Sequence, residues 1–445
     1  MAISSLVIDG FKSFRDRIEV NLGDLTILSG ANSSGKSTIM QAVLLMKQTL
    51  ESGYDPGPLL ISGPNVIFSN TEQMFWSVPG EKRKEQICIG LTTEDKRNKS
   101  GYEVTLQQQK DGTAPLQIVK GTWLSDSQKT DLSPNLTDEQ RKQYEAKIQS
   151  ERFPESFYKQ FGENVYTAPY VQRDRFFLST KLALRSRNND SVVGEFGRGF
   201  LDDFENQMMV EEAVRSIIHV PGLRGNPRRT YPVTAVEKHF SGLFPDYVAS
   251  VIAFWQNTNK EKAAQLSADL KELGLTWNVK AKRISDTEVE IRVGRLQRSQ
   301  QGGARDMVSI ADVGFGMSQS LPVAVALLAA EPGELVYLEQ PEIHLHPRAE
   351  HSLSRLIHRA VMRGVQVVVE THSELLLVGL QELVALKKFG EKKAIIHWVQ
   401  RDKSGASVLQ SQELDKNGAF GNVPVDFGAV SFDAMSKYLD ASGEA

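Results

Sequence analysis

Lys36 and Ser37 close the run GANSSGKS at residues 30–37, which matches G-x-x-x-x-G-K-[ST]. Glycine at Gly30 and Gly35 permits backbone torsions that let successive N–H groups surround a phosphate, and a following helix would add its positive end. Lys36 would then contact the β- and γ-phosphates, and the Ser37 hydroxyl would ligate a magnesium ion. Asn32, Ser33, Ser34 and Thr38 complete the cradle. Far down the chain, ELVYLEQPEIHLHP carries an apolar run that ends on Glu339. An acid at a buried strand end can hold a phosphate-bound metal, and Glu339 is one methylene longer than the commoner aspartate there. Read alone, it could also be an ordinary surface carboxylate. Its neighbour Gln340 is an amide that can orient water but cannot accept a proton at neutral pH. Glu342, two residues on, is the acid left to reach the same water if Pro341 turns the chain.

A second apolar run, in GVQVVVETHSELLL, leads to His372, which could donate to a γ-phosphate or serve only as structure. DVGFGMSQ places Gly314, Gly316 and Ser318 before a long apolar helix; this is either a plain strand–helix turn or a set of donors for a phosphate. His344 and His346 lack further ligands at metal spacing, so zinc is rejected. Arg224, Arg228 and Arg229 sit in a Gly/Pro-rich loop, with Lys280, Lys282, Arg283, Arg292, Arg295 and Arg298 on a hairpin-like stretch after it. These are either solvated strand faces or a local phosphate-contacting surface for DNA or RNA.

The elements that must position these groups read as follows. Alternating runs at AISSLVIDGF, RIEVNL and DLTILSG suggest strands, the last feeding the glycine loop and a helix over 39–50. From residue 308 the pattern is strand, glycine turn, helix, strand, helix, strand, which indicates a parallel sheet with helical crossovers. One α/β sheet built from both chain ends, with a large α+β region inserted between, is the economical arrangement. The expected divisions are 1–122, 123–304 and 305–445. The 445 residues are 40% hydrophobic and 24% charged, ordinary globular values, and the net charge of −3 gives no general pull toward nucleic acid or anionic membrane. One cysteine excludes a disulfide framework. The N-terminus lacks the apolar core of a secretory signal, and the apolar run 321–330 is too short to span a bilayer. No membrane association and a cytoplasmic location are expected. Phe420, Phe427 and Phe432 near the C-terminus would cap the core or dock a partner.

Taken together, GFKSF, GANSSGKST, DVGFGMSQSLPV, YLEQPEIHLHP and ETHSELLL resemble the ATP-binding-cassette-type heads of SMC/RecF and OLD-like AAA ATPases, in particular short bacterial members. The resemblance covers roughly residues 1–110 and 305–400. It implies a P-loop NTPase head that binds ATP and Mg²⁺ between two subunits of a homodimer. Lys36 and Ser37 take the phosphate-loop roles, Glu339 the Walker B role and His372 the switch role. Gly314, Gly316 and Ser318 form the signature turn acting on the partner's nucleotide. Gln73, in NTEQMFW, would be the Q-loop residue near the metal. No coiled coil is present, and no D-x-D follows an acidic strand end after His372, so no intrinsic nuclease is expected. Gln340 replaces the water-activating glutamate and implies slow hydrolysis. The implied function is an ATP-driven switch in a DNA-directed or phage-defence complex controlling a separate nuclease or toxin. A repair ATPase on nucleic acid, or a non-hydrolysing scaffold, is the alternative.

Overall fold

In the computed structural model the described residues are 2–95, 98–109, 115–126, 128–150, 164–196, 203–295 and 306–421, with 436, 437 and 440 beyond them. The chain divides into two compact units: residues 1–2, 20–41 and 215–445 form one, and residues 3–19 and 42–214 the other.

The first unit is organised by a six-stranded sheet. Its elements in chain order are β1 (Leu25–Gly30), α1 (Lys36–Leu50, which begins in this unit), β2 (Ile218–Val220), α2 (Phe315–Ala329), β3 (Leu335–Glu339), α3 (Pro347–Met362), β4 (Gln366–Glu370), α4 (Glu374–Ala385), β5 (Ala394–Arg401) and β6 (Ser407–Glu413). The strand order is β2-β3-β4-β1-β5-β6. All neighbours are parallel except β5 and β6. Both chain ends therefore meet in one sheet, as the alternating pattern implies. Parallel strands are covered on both faces, and the sequence shows it: Val367, Val368 and Val369 of β4 are all fully buried. Helix ends are stopped by local chemistry. His346 caps α3 by accepting the Arg348 N–H, with Pro347 in the first turn, and the Ser373 hydroxyl caps α4 by accepting from Leu376.

The apolar run at 321–330 forms most of α2 and its C-cap Ala330, and residues Met317 to Leu328 are all buried. The hairpin read from the sequence forms as Val279–Arg283 paired with Glu288–Gly294, joined in one sheet by Tyr231–Pro232 and Met307–Ser309. One apolar core runs from β1 through α2, α3 and β4 to helices Val248–Thr258 and Lys260–Glu272.

The other unit carries the meander Gln86–Glu94, Lys99–Gln108, Leu116–Ser125 and Lys129–Leu132 beside Ala2–Asp9, and a three-stranded sheet Val192–Phe196, Phe177–Ser186, Val165–Asp174. The two sheets meet through buried aromatics with satisfied polar ends. Trp123 Nε1 donates to the Leu178 carbonyl at 2.8 Å, and the Tyr102 hydroxyl donates to the Phe176 carbonyl at 3.0 Å. The helix begun at Thr137 forms as Asp138–Ser150, its first turn fixed by reciprocal bonds between Thr137 and Gln140.

Ile27, fully buried, stands between Val369 of β4 and Ile396 of β5. Ile27→Ala is expected to cost about 2–5 kcal/mol by leaving a cavity under the glycine loop. A thermal melt should then fall by roughly 5 °C or more.

Candidate functional site

The glycine loop leaves β1 at Gly30, whose φ of +141° no L side chain adopts easily. A Cβ there would lie 2.1 Å from the Val399 carbonyl oxygen of β5, so the close strand approach itself requires glycine. Ser33 and Gly35 also have positive φ. The loop is held from the β5–β6 side: Arg401 donates to the Ser33 carbonyl at 3.2 and 3.0 Å, and the Ser407 hydroxyl donates to the Ser34 carbonyl. Asn32 and Ser33 are exposed, while Ser34 and Thr38 are buried. Lys36 opens α1, where the first N–H groups have no intrahelical acceptor. Its ammonium is folded back on the Gly30 and Ala31 carbonyls at 3.0 and 2.8 Å. Burial lowers its pKa, and the charge of Glu370 pulls the other way.

Strand register decides which acids face this loop. Glu339 of β3 lies opposite Glu370 of β4, and β4 is the strand beside β1. The Ser37 hydroxyl donates to Glu370 Oε1 at 3.0 Å, and the Tyr337 hydroxyl donates to Glu370 Oε2 at 3.1 Å. Glu339 is one strand farther, engaged by His219 Nε2 at 3.1 Å and by the Gly222 N–H at 2.9 Å. The two carboxyls are pushed apart in pKa. Burial raises Glu370, and the neighbouring Glu339 charge adds to it against Ser37 and Lys36. Burial also raises Glu339, but the bond and charge of His219, the Gly222 N–H and Tyr337 outweigh it, holding it below the usual range. Glu370 and His219 are the site residues the sequence reading missed. Glu370 was visible only as the polar end of an apolar run; nothing local marked His219.

The Gln340 N–H donates to the Glu370 carbonyl at 2.8 Å, and its φ of +41° begins the turn that brings Glu342 back. Glu342 Oε1 accepts from the Thr371 hydroxyl at 2.8 Å and from the His372 N–H at 2.9 Å. Burial raises the pKa of Glu342 despite those two donors. Burial and the Lys36 charge lower that of His372, so its imidazole is neutral at pH 7. Glu342 thus reaches the Thr371–His372 strand end through the turn at Pro341.

Among the described residues, buried polar atoms on this sheet edge without a hydrogen-bond partner include Ser34 Oγ, His372 Nε2 and Glu342 Oε2, with Arg224 Nε and Nη1 at the Glu339 strand end. Orphaned buried polar atoms are costly, and their gathering beside Lys36, Ser37 and two carboxylates fits a phosphate-bearing ligand with a cation. Among the described residues no three His, Cys, Asp or Glu side chains gather to hold a metal alone. That donor set suits Mg²⁺, which takes one or two protein oxygens and completes its shell from phosphate and water.

The other expected residues fall as follows. Gly314 caps α2, and a Cβ on Gly316 would sit 2.9 Å from the His344 carbonyl oxygen, so this turn packs against the IHLHP segment. The Ser318 hydroxyl donates to Phe315 O at 3.0 Å within its own helix. Gln73 belongs to the other unit, where its side-chain oxygen accepts from the Ser69 N–H at 3.1 Å. Arg224 is turned inward onto the Glu339 and Gln340 carbonyls at 2.8 and 3.3 Å. Arg229 pairs with Asp312 at 2.8 Å. On the hairpin, Lys280 lies opposite Arg292 and Lys282 opposite Glu290, an outward face of mixed charge over a buried one of Val279, Val289 and Ile291. Arg295 is exposed; Arg298, Phe427 and Phe432 lie outside the described residues, and Phe420 is buried against Trp398.

A family model described as "AAA domain, putative AbiEii toxin, Type IV TA system" matches residues 25–378, most of the chain. The chain belongs to this AAA family. Among solved structures, the fold of this AAA chain is similar to "Crystal structure of the SmcHead bound to the C-winged helix domain of ScpA", at a TM-score of 0.52 and 12% identity over 94% of this chain and 99% of that one. An SMC head domain from Thermotoga maritima (TM-score 0.43, 12% identity, 92% and 98% covered) and one with an extended coiled coil bound to the C-terminal domain of ScpA from Pyrococcus furiosus (0.48, 12%, 93% and 97%) also match. No curated protein matches by sequence. The fold is thus a P-loop, ABC-type head of the SMC/RecF kind, assembled from both chain ends as expected.

Gly30→Ala is expected to lower the melting temperature and abolish phosphate-loop binding, because the added methyl meets backbone that cannot yield. Gly314→Ala, where an added Cβ meets nothing within 4 Å, should melt as the wild type does. Paired thermal-shift measurements check both.

Proposed function

We propose that this AAA chain binds ATP with Mg²⁺ and hydrolyses it slowly, dimerising around the nucleotide as a cytoplasmic switch that controls a separate effector. The observation that supports nucleotide binding best is the buried Lys36 ammonium and Ser37 hydroxyl facing Glu370, with unpartnered Ser34, His372 and Glu342 atoms on the same edge.

In this reading Lys36 and the loop N–H groups bind the β- and γ-phosphates. Ser37, Glu370 and Glu339 hold the metal, which supplies charge neutralisation when bound. His372, kept neutral, offers Nε2 toward the terminal phosphate. Gln340 carries no proton-accepting group, so Glu342 is the residue that takes the proton: Thr371 and His372 fix one of its oxygens and leave the other free. Burial that raises its pKa makes it a better base near neutral pH than an ordinary carboxylate. A base is a modest part of phosphoryl transfer, so turnover persists but stays slow. Gly314, Gly316 and Ser318 act on the nucleotide of the second copy.

The defence role and the nuclease or toxin partner are supported by the toxin–antitoxin wording of the family description and by the resemblance to OLD-like ATPases. No described helix is long and apolar enough to cross a membrane. Direct DNA or RNA binding draws little support from the hairpin, where Glu290 interrupts the basic face. Purifying the chain from its host with and without non-hydrolysable ATP identifies a nucleotide-dependent partner, and recovery of the chain alone under both conditions would remove the effector.

Lys36→Ala should abolish ATP binding, measured with a fluorescent ATP analogue. Glu342→Gln should keep that binding and lower turnover by roughly 10²-fold or more, whereas Gln340→Glu should raise it. Because the Glu342 pKa is raised and its ionised form is the active one, wild-type turnover should climb with pH above the usual carboxylate range. A pH–rate profile of Glu342→Gln should lack that rising limb.

A further inference from the structure

Residues 219–229 touch both halves of the proposed site within one subunit. On one side His219 Nε2 meets Glu339 Oε1 at 3.1 Å, the Gly222 N–H donates to Oε2 at 2.9 Å, and Arg224 donates to the Glu339 carbonyl at 2.8 Å and the Gln340 carbonyl at 3.3 Å. Both carboxylate oxygens and the backbone at this strand end are therefore held by one short segment. The His219 ring, 2% exposed, stacks on Tyr337 at 5.3 Å, and the Tyr337 hydroxyl reaches Glu370. On the other side Gln319 of α2 donates to the Gly225 carbonyl at 2.8 Å, and Arg229 pairs with Asp312 just before Gly314. Between this segment and α2 lies a cavity of about 290 Å³ bordered by Arg224, Arg228, Tyr231, Ser318 and Leu321. The segment therefore reaches α2 through the buried Gln319 bond and the turn before α2 through the exposed Arg229–Asp312 pair, the weaker of the two links.

We propose that residues 219–229 are a strap that positions the Glu339 carboxylate and couples its position to the signature turn, with His219 and Arg224 as positioning residues. The proposal rests on the ATP–Mg²⁺ reading for its consequence, while the coupling itself belongs to the ligand-free protein. His219 holds Oε1, Gly222 holds Oε2 and the Tyr337 hydroxyl adds a third donor, so removing the imidazole loosens the Oε1 side of the carboxylate while the others remain. Arg224 stays cationic, since burial lowers its pKa only to about 10 against the charges of Glu342 and Glu339. Its Nη2 alone spans the two strand-end carbonyls, while Nε and Nη1 are buried without a hydrogen-bond partner.

The test uses the full chain, MgCl₂ and a fluorescent ATP analogue, together with hydrogen exchange of the nucleotide-free protein. His219→Leu should raise the half-saturating MgCl₂ concentration about tenfold or more, as loss of partners behind a metal ligand does. His219→Gln, whose amide can donate to Glu339, should recover most of that. In the nucleotide-free protein His219→Leu should speed exchange at 312–319 as well as at 336–341. Gln319→Leu, which cuts only the link to α2, should speed exchange at 312–319 and leave the MgCl₂ dependence within twofold of wild type. Unchanged MgCl₂ dependence and exchange in His219→Leu would overturn the strap. If His219→Leu does not fold, unchanged exchange at 312–319 in Gln319→Leu overturns the coupling. A wild type that binds no ATP analogue, with the exchange effects intact, sinks the nucleotide reading and leaves the strap standing.

Discussion

Two glutamates end neighbouring parallel strands in register, and the fold must keep both largely out of water. Like charges so placed raise each other's cost of ionisation, and burial adds to it. The surroundings divide the pair. Glu339 receives His219 and the Gly222 N–H, which favour its ionised form, while Glu370 receives two neutral hydroxyls and the more distant Lys36 charge. The result is one settled anion and one carboxyl poised to gain from a cation. A divalent ion would relieve that repulsion, so the cost of holding these acids together in its absence is the physical reason for expecting one.

The sheet makes this arrangement possible. Because β1 is inserted between β4 and β5, the glycine loop emerges directly beside the Glu370 strand end, at the carboxyl edge where open parallel sheets gather ligands. Val399 approaches so closely that only glycine fits at position 30, and Arg401 and Ser407 fix the following carbonyls. The loop is therefore shaped by its neighbours before any phosphate arrives, and Lys36 is stored against its own backbone carbonyls.

The turn after β3 does a different task. The left-handed Gln340 and the buried Pro341 redirect the chain so that Glu342, not residue 340, reaches Thr371 and His372. A carboxyl that is desolvated yet fixed by two donors retains basicity without losing position. An acid displaced by two residues thus stands at the strand end of Thr371 and His372, where the amide at 340 does not reach.

The sequence by itself determined the glycine cradle, the acid at Glu339, the histidine strand end, the signature turn and the joining of both chain ends, because each is written in contiguous residues or in the period of apolar positions. Only the tertiary structure decided that Ser37 faces Glu370, since strand adjacency and register set that meeting and no local pattern encodes them. The same holds for His219 and Arg224. Their loop reads as a basic surface, and Arg224 became an internal prop only once β2 paired beside β3 and brought the loop onto the Glu339 strand end. Pairing between distant strands is a property of the packed core, so residues whose role depends on a neighbour across the sheet stay invisible until the sheet is assembled.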